Sequence, residues 1–291
     1  MPTTPHTDTA KLLDRLDHYY DAVPRSAARV EDFGPLRLFV REGQGWPYYA
    51  RPNPSWVDGT VTADDVRRVR ARQRELGVPE SFEWIAETAP ALRAAVEAAG
   101  LTVHEHPLLV LDPEAPPGPT PDGTDGTVVR TVAPDDPVLP SALAVPHLAF
   151  QEPGTGLAGL PELDAAAHAR AHDGSTRHAA ERMRDGLTRV AAAVADGRAL
   201  CAGQHQPVGD ISEIVGVGTL PTARRRGLAR AVTATLVADA RARGVETVFL
   251  SAGDGTVARV YAGLGFRTRA TALIAEPAEP AEPAEPAAPG A

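Results

Sequence analysis

No helix or strand can run through DPEAPPGPTPDGTDG, residues 112–126, because its prolines remove backbone donors and its glycines and aspartates favour turns. The chain is therefore expected to form two α/β halves, residues 1–111 and 127–275, joined by this stretch as a linker. A second break begins at Glu276, where EPAEPAEPAEPAAPGA repeats Glu-Pro-Ala out to residue 291. A proline at every third position bars a helix, so this tail is expected to be disordered or extended. A length of 291 residues suits two domains of ordinary size, each able to bury its own core.

In the first half, Leu12, Leu13, Leu16 and the Tyr19/Tyr20 pair follow helical spacing, and extended runs follow at 36–41 and 46–51. Residues 62–76 predict a helix opened by a threonine cap and by Asp64 and Asp65, which favour the positive helix start. A strand at 81–86, a helix at 90–99 and a strand at 102–111 complete this half. The second half predicts a strand at 128–132 and helices at 138–149 and 175–185, separated by a loop rich in Gly and Pro. Strands at 189–195 and 198–205 are joined at Asp196-Gly197, a dipeptide suited to a tight hairpin, and a third follows at 211–219. A helix at 226–243, a strand at 247–251, a helix at 255–263 and a strand at 266–275 give the alternation of an α/β layer fold.

Composition narrows the partners. With 38 acidic against 29 basic residues the net charge is -9, which argues against a protein that coats nucleic acid. The start, MPTTPHTDTAKLL, lacks an apolar core after a basic segment, and no run reaches membrane-spanning length; a cytoplasmic protein is expected. Cys201, the one cysteine, excludes an intramolecular disulfide and reads as a buried structural thiol. His168 and His172, spaced i, i+4, could share a helix face, with His178, Asp164 and Asp173 nearby. No third ligand is evident, so a solvated loop is favoured and no metal is expected. His104 and His106 alternate on a strand and read as surface residues.

The chemistry concentrates in GVGTLPTARRRGLARAV, which places an arginine-rich, glycine-containing turn between a strand and a helix. Helix N-terminal amides lack internal partners and sit at the positive end of the dipole, so such a turn traps anions. Gly227 and Ala229 keep the backbone uncovered, while Arg224, Arg225 and Arg226 supply charge.

Read as Arg-x-x-Gly-x-Ala, Arg224, Gly227 and Ala229 resemble the coenzyme A signature of the GNAT superfamily of N-acetyltransferases. VGVGTLP resembles the central strand of that family, with Pro221 at a familiar position, and VYAGLGF at 260–266 resembles its second signature. The resemblance covers about 128–275 and looks closest to the FR47-like branch. It implies a mixed, centrally splayed sheet flanked by helices, with acetyl-CoA as co-substrate and a small-molecule, amino-acid or peptide amine as acceptor. It further implies that the backbone of Val215, Val217 and Thr219 meets the pantetheine arm, and that Arg224, Arg225, Arg226, Gly227, Leu228, Ala229 and Arg230 hold the pyrophosphate.

By the same resemblance Glu213 takes the place of a general base and Tyr261 that of the acid for the departing thiolate. On the residues alone, Glu213 reads equally as a solvent-facing strand charge and Tyr261 as an aromatic packed beside the cofactor. Asp254 replaces the asparagine often found seven residues before that tyrosine, and Ser251 supplies a hydroxyl nearby. The alternatives are an inactive acyl-CoA-binding regulatory protein and an acyltransferase for longer chains, which the small Gly216 and Gly218 would admit.

The order of elements in the first half resembles the second half of the same fold, which suggests a tandem arrangement with a degenerate N-terminal copy. Its equivalent loop, PNPSWVDGTVTADD, carries aspartates where a pyrophosphate would sit, so one coenzyme per chain is expected. Trp46, Tyr48, Tyr49 and Trp84 are either ordinary core or the wall of an acceptor cleft, with core the more common fate of such residues. Oligomeric state stays open, a monomer being compatible with two halves that form a pseudo-dimer.

Overall fold

The structure, a computed structural model, describes residues 5–56, 60–116, 126–150 and 158–278. The first half comprises α1 (Pro5–Ala22), β1 (Ala28–Asp32), β2 (Leu36–Arg41), β3 (Ala50–Pro52), α2 (Ala63–Glu75), β4 (Phe82–Ile85), α3 (Leu92–Ala98) and β5 (Thr102–Leu111). The second comprises β6 (Val128–Val132), α4 (Leu139–Phe150), α5 (Leu160–His172), α6 (Ser175–Arg184), β7 (Arg189–Ala195), β8 (Arg198–Val208) and β9 (Ile211–Thr219). It ends with α7 (Leu228–Ala242), β10 (Thr247–Ser251), α8 (Gly255–Ala262) and β11 (Phe266–Glu276).

Among the described residues these strands form one mixed sheet, in the order β1-β2-β3-β4-β11-β5-β10-β9-β8-β7-β6. β5, which closes the first half of the chain, pairs antiparallel with β10 through Val110 and Phe249. β11, the last strand, lies between β5 and β4 and pairs with β4 through Leu273 and Trp84. The two halves thus share their final strands, and the proline-rich segment divides the chain but not the sheet. Arg241 fastens the start of that segment by donating to the carbonyls of Asp112 and Ala115 at 3.2 and 3.0 Å.

Buried side chains follow this exchange. Leu273 and Ala275 of β11 join Leu36, Leu38, Val66, Val69 and Trp84 in the core of the first half. Leu16, Tyr19 and Tyr20 of α1 pack on Ile85, Phe249 and Ala272, across the strands where the halves meet. The apolar end of β5, Leu108 to Leu111, is buried throughout, as a strand with neighbours on both edges and layers on both faces requires.

Most expected elements occur near their expected bounds, with local exceptions that have physical causes. Thr62 caps α2 in a reciprocal box with Asp65, as its sequence implies. α5 replaces part of the expected loop: Pro161 sits in its first turn, where no amide donor is needed, and Glu162 accepts from the Gly159 amide at 2.8 Å. Of the extended run expected at 46–51, only Ala50–Pro52 pairs. β1 escaped notice because ARVED has no apolar alternation and lies at the sheet edge. α7 begins two residues late, since Gly227 adopts φ 75° as its N-cap. Linker residues 117–125 and the Glu-Pro-Ala repeat from residue 279 onward lie outside the described residues. No described helix is long and apolar enough to cross a membrane.

Because β11 is core to the first half, Leu273→Ala should destabilise the whole sheet by about 2–5 kcal/mol, the usual cost of truncating a buried leucine. Urea unfolding followed by tryptophan fluorescence and by far-UV circular dichroism should shift together as one transition. Separated transitions would show that the halves fold independently.

Candidate active site

β9 and β10 run parallel and pair through Thr247↔Ile211, Val248↔Ser212 and Phe249↔Glu213, after which their pairing ends. Glu213 therefore stands on the last rung before the two strands part. Beyond it, the β8–β9 register slips between Ala202 and Gln204, and Gly216 takes φ 62° in the resulting bulge. A side chain would be strained there. Val215, Val217 and Thr219 lie on this released part of β9, and Ser251 ends β10 on the other side of the opening. Gly218 is not open space: a Cβ there would come within 2.8 Å of the Pro146 Cα in α4, so only Gly216 could face a longer acyl chain.

A cavity of about 520 Å³ opens from this point, within the range of small-molecule sites. Its lining draws on both halves: Glu213, Val215, Gly216 and Ser251 from the second, and Tyr20, Trp46, Tyr48, Tyr49 and Glu83 from the first. Trp84 is not among them; it is fully buried in the core of the first half. Trp46 stacks on His147 of α4 with ring centroids 4.6 Å apart, and Gln44 donates to the Asp173 carbonyl at 2.7 Å, so the β2–β3 loop reaches across to the second half.

Glu213 is buried, and its pKa is pushed up to about 8, first by loss of water, then by the nearby Glu83 carboxyl. Tyr20 opposes the shift by donating to Glu213 Oε1 at 3.1 Å. Glu83 is itself raised to about 7 by burial, with the Arg51 charge partly offsetting it, and it lines the cavity. Arg51 is fully buried and held at 2.6 Å by Asp17. Tyr19 bridges the strands beneath, donating to the Gln206 carbonyl at 2.8 Å and accepting from the Glu213 amide at 3.3 Å. The site is thus a pair of protonatable carboxyls supported by tyrosines of α1. Sequence reasoning found Glu213 and missed Glu83, which is one charge in a short strand and acquires meaning only where β4 meets the cavity.

The loop before α7 lies outside the cavity lining. Arg225 holds φ 63°, uncommon for a side-chain-bearing residue, and Gly227 follows with φ 75°. No side chain caps α7, so the amides of Leu228, Ala229 and Arg230 are available at its start. Arg224 donates to the Ala149 carbonyl at 3.0 Å, Arg226 to Thr127 at 3.2 Å and Arg230 to the Gly263 carbonyl at 3.1 Å. None of these arginines, nor Arg225, is ion-paired among the described residues. The turn is an uncompensated positive patch around free amides, which suits a polyphosphate.

Tyr261 of α8 is buried, packs edge-on to Phe266 at 6.2 Å, and makes no hydrogen bond through its hydroxyl among the described residues. Burial pushes its pKa up to about 12, with the Cys201 thiol adding to the shift. Cys201 is fully buried, raised to about 12 by burial, and accepts from Thr219 at 3.2 Å. Asp254 is taken: its carboxylate caps α8, accepting from the Thr256 and Val257 amides at 2.6 and 2.8 Å. That local use explains an aspartate at this position. His168 and His172 meet ring to ring at 4.3 Å, and Asp164 pairs instead with Arg198 at 2.7 Å. His104 is exposed and His106 half-buried against the Gly253 carbonyl.

Residues 190–274 match the family model described as FR47-like protein. No curated protein matches the sequence. Among solved structures, a GCN5-related N-acetyltransferase from Kribbella flavida is similar with a TM-score of 0.65 at 20% identity, over 91% of this chain and 96% of that one. Another from Sphaerobacter thermophilus gives 0.52 at 20% identity, over 83% and 80%. A tandem GNAT protein from the clavulanic acid biosynthesis pathway gives 0.51 at 15% identity, over 82% and 77%. The chain carries the GNAT fold, and the likeness extends across both halves.

Glu213 should make stability fall as pH rises. Its carboxyl, with a folded value near 8 against 4.5 unbound, is protonated in the folded protein over a range where the unfolded chain has released the proton. Folding therefore binds a proton between roughly pH 4.5 and 8, and stability is highest below that window. Glu213→Gln keeps an acceptor for Tyr20 but carries no charge. Its unfolding free energy should equal that of the parent near pH 4.5 and exceed it increasingly towards pH 8, by a difference on the order of a few kcal/mol. A constant offset across this range would contradict the assignment.

Proposed function

We propose that the protein is an acetyl-CoA-dependent N-acetyltransferase in which an amine attacks the thioester directly in a ternary complex. The observation that carries this reading is the position of Glu213, a proton-accepting carboxyl on the last paired rung before β9 and β10 separate. The GNAT fold and the FR47-like match support the coenzyme assignment.

Residues of this chain fit the coenzyme in two places. Past Glu213, the stretch of β9 with Val215, Val217 and Thr219 is no longer paired with β10, and that edge could receive an amide-bearing arm. The turn from Arg224 to Arg230 offers free amides and guanidiniums without acid partners to a pyrophosphate. Acetyl-CoA would supply the activated acyl group and the thiol leaving group. The Ser251 hydroxyl sits beside the opening, and Asp254 serves the helix that carries Tyr261.

An amine arrives protonated and must lose its proton before it can attack. A carboxyl with a pKa near 8 accepts a proton from an ammonium far more readily than an ordinary glutamate does, because the mismatch in pKa is small. Glu213 takes that proton in its ionised form, whose share grows as the pH approaches and passes 8. Tyr261, neutral at physiological pH, donates its proton to the departing thiolate sulfur. The first half is then part of the reaction chamber, supplying Tyr20, Glu83 and the aromatic wall.

Two measurements address these roles. The pH profile of kcat/KM should show an acid limb near 8 that disappears in Glu213→Gln, and Tyr261→Phe should lower kcat by roughly 10²-fold, the scale of a lost general acid. Full activity in Tyr261→Phe would remove it from the mechanism. Separately, Arg226→Glu should weaken coenzyme A binding by at least about tenfold in calorimetry, with thermal stability little changed because the turn is exposed. Unchanged affinity would sink the pyrophosphate assignment.

A further inference from the structure

The cavity has a second charged set that acyl transfer itself does not use. Arg41, Arg170 and Arg182 line it together with His147 and His178. None of the three arginines is ion-paired among the described residues. Arg41 donates to the Gln44 carbonyl at 3.0 Å and lies over the Tyr48 ring at 4.4 Å, and Arg182 reaches the Ser26 hydroxyl at 3.3 Å. Arg170 of α5 has no side-chain hydrogen bond among the described residues. Partial burial lowers its pKa, and Asp173 is the one acid that offsets this. His178 carries a buried Nε2 without a partner.

These cations form a group apart from the carboxyls. Arg182 bears on Arg41 and Arg170 on His147, while the carboxyls of Glu83 and Glu213 enter the same cavity from β4 and β9. One cavity therefore holds an acidic pole on β4 and β9 and a cationic pole on α5, α6 and the end of β2. Half-buried guanidiniums without acid partners are costly to maintain and bind planar oxyanions in a forked geometry. Trp46, Tyr48 and Tyr49 add apolar surface to the same lining.

We infer that the acceptor is an amine bearing an oxyanion on the same small molecule, an amino acid in the simplest case. Its nitrogen lies at Glu213 and Glu83, its carboxylate at Arg170 with Arg182, and its side chain against the aromatic wall. A polyamine or a simple alkylamine would leave the cationic pole unmatched and would be repelled by it. The inference rests on the acyl-transfer reading of the same cavity, and it narrows the amine to one class.

The test uses matched pairs that differ by one carboxylate: phenylalanine with phenethylamine, and leucine with isoamylamine. The phosphonate analogue of phenylalanine distinguishes a carboxylate from a phosphate-like anion. Binding to the full-length protein is measured by calorimetry in the presence of coenzyme A, and thiol release from acetyl-CoA is followed with each amine. In at least one pair the amino acid should bind at least tenfold tighter than its decarboxylated partner. Arg170→Gln should collapse that ratio towards one, with Arg170→Lys restoring part of it and Arg182→Gln reducing it independently.

Equal binding within both pairs, no binding of any amino acid at millimolar concentration, or equal weakening of amine and amino acid in both Arg→Gln variants would overturn the inference. Thiol release with the simple amines would in those cases leave the transferase reading standing. Conversely, an Arg170-dependent preference for the amino acid without thiol release from any of the amines would keep the two-pole assignment and overturn the transferase reading.

Discussion

The insertion of β11 between β4 and β5 is the constraint from which the rest of the structure follows. A strand in the middle of a sheet must satisfy backbone groups on both edges, and β11 does so with two strands from the other half of the chain. Its side chains Leu273 and Ala275 complete the core of the first half. The end of the chain therefore completes its beginning, and β5 does the reverse by pairing with β10. This exchange fixes the two halves edge to edge and brings α1 over the strands that carry Glu213 and Phe249. A cavity with walls from both halves is the geometric result.

That arrangement makes it possible to hold two carboxyls in a site with little water. Glu213 and Glu83 are each raised by burial, and a lone buried carboxylate would be costly without a donor or a counter-charge. Tyr20 supplies the donor and Arg51 the charge, both from the first half. Arg51 is in turn neutralised by Asp17, one α-helical turn before Tyr20 and Asp21 on α1. The same helix that seals the meeting line thus sets the electrostatics of the cavity floor. The first half contributes Tyr20, Glu83 and three aromatic residues, Trp46, Tyr48 and Tyr49, to the lining of that cavity.

Much of this was legible in the sequence wherever the signal was local. The proline-rich break, the threonine cap of α2, the Asp196-Gly197 hairpin and the strand-turn-helix at Arg224 each depend on neighbours within a few residues. The strand exchange was not legible, because TRATALIAE reads the same whether its partner is 20 or 190 residues away; pairing partners are chosen by the whole sheet. Glu83 was missed for the same reason, since FEWI shows a strand and not what its one polar side chain faces. The arginines at 170 and 182 sit on helices whose polar faces look like ordinary solvated surface. Their lack of acid partners is a tertiary fact. Asp254 shows the opposite case: a local cap was overlooked in favour of a family comparison, although Asp-Gly-Thr before an apolar run is itself a helix start.

One constellation tests how far geometry alone should be read as chemistry. Ser212, His205 and Asp239 are in line, with His205 Nδ1 2.8 Å from the serine hydroxyl and Nε2 3.0 Å from the Asp239 carboxylate. The order of residues is that of a hydrolytic triad, with the two ring nitrogens of the histidine exchanged. Yet Ser212 and His205 are fully buried, and neither lines the cavity, so no substrate could reach the serine oxygen. Asp239 is also shared with Arg243 at 2.8 Å and Arg189 at 3.5 Å; against the upward pull of burial, the His205 hydrogen bond first and then these arginines hold its pKa well below the usual carboxylate range. A carboxylate so committed orients the imidazole and leaves the ring to fix the serine. Because Ser212 immediately precedes Glu213 and sits in the last stretch where β9 still pairs with β10, the network anchors the strand just before it is released. Its consequence for the site is positional: it keeps the vertex of the splay, and with it Glu213, at one fixed depth in the cavity.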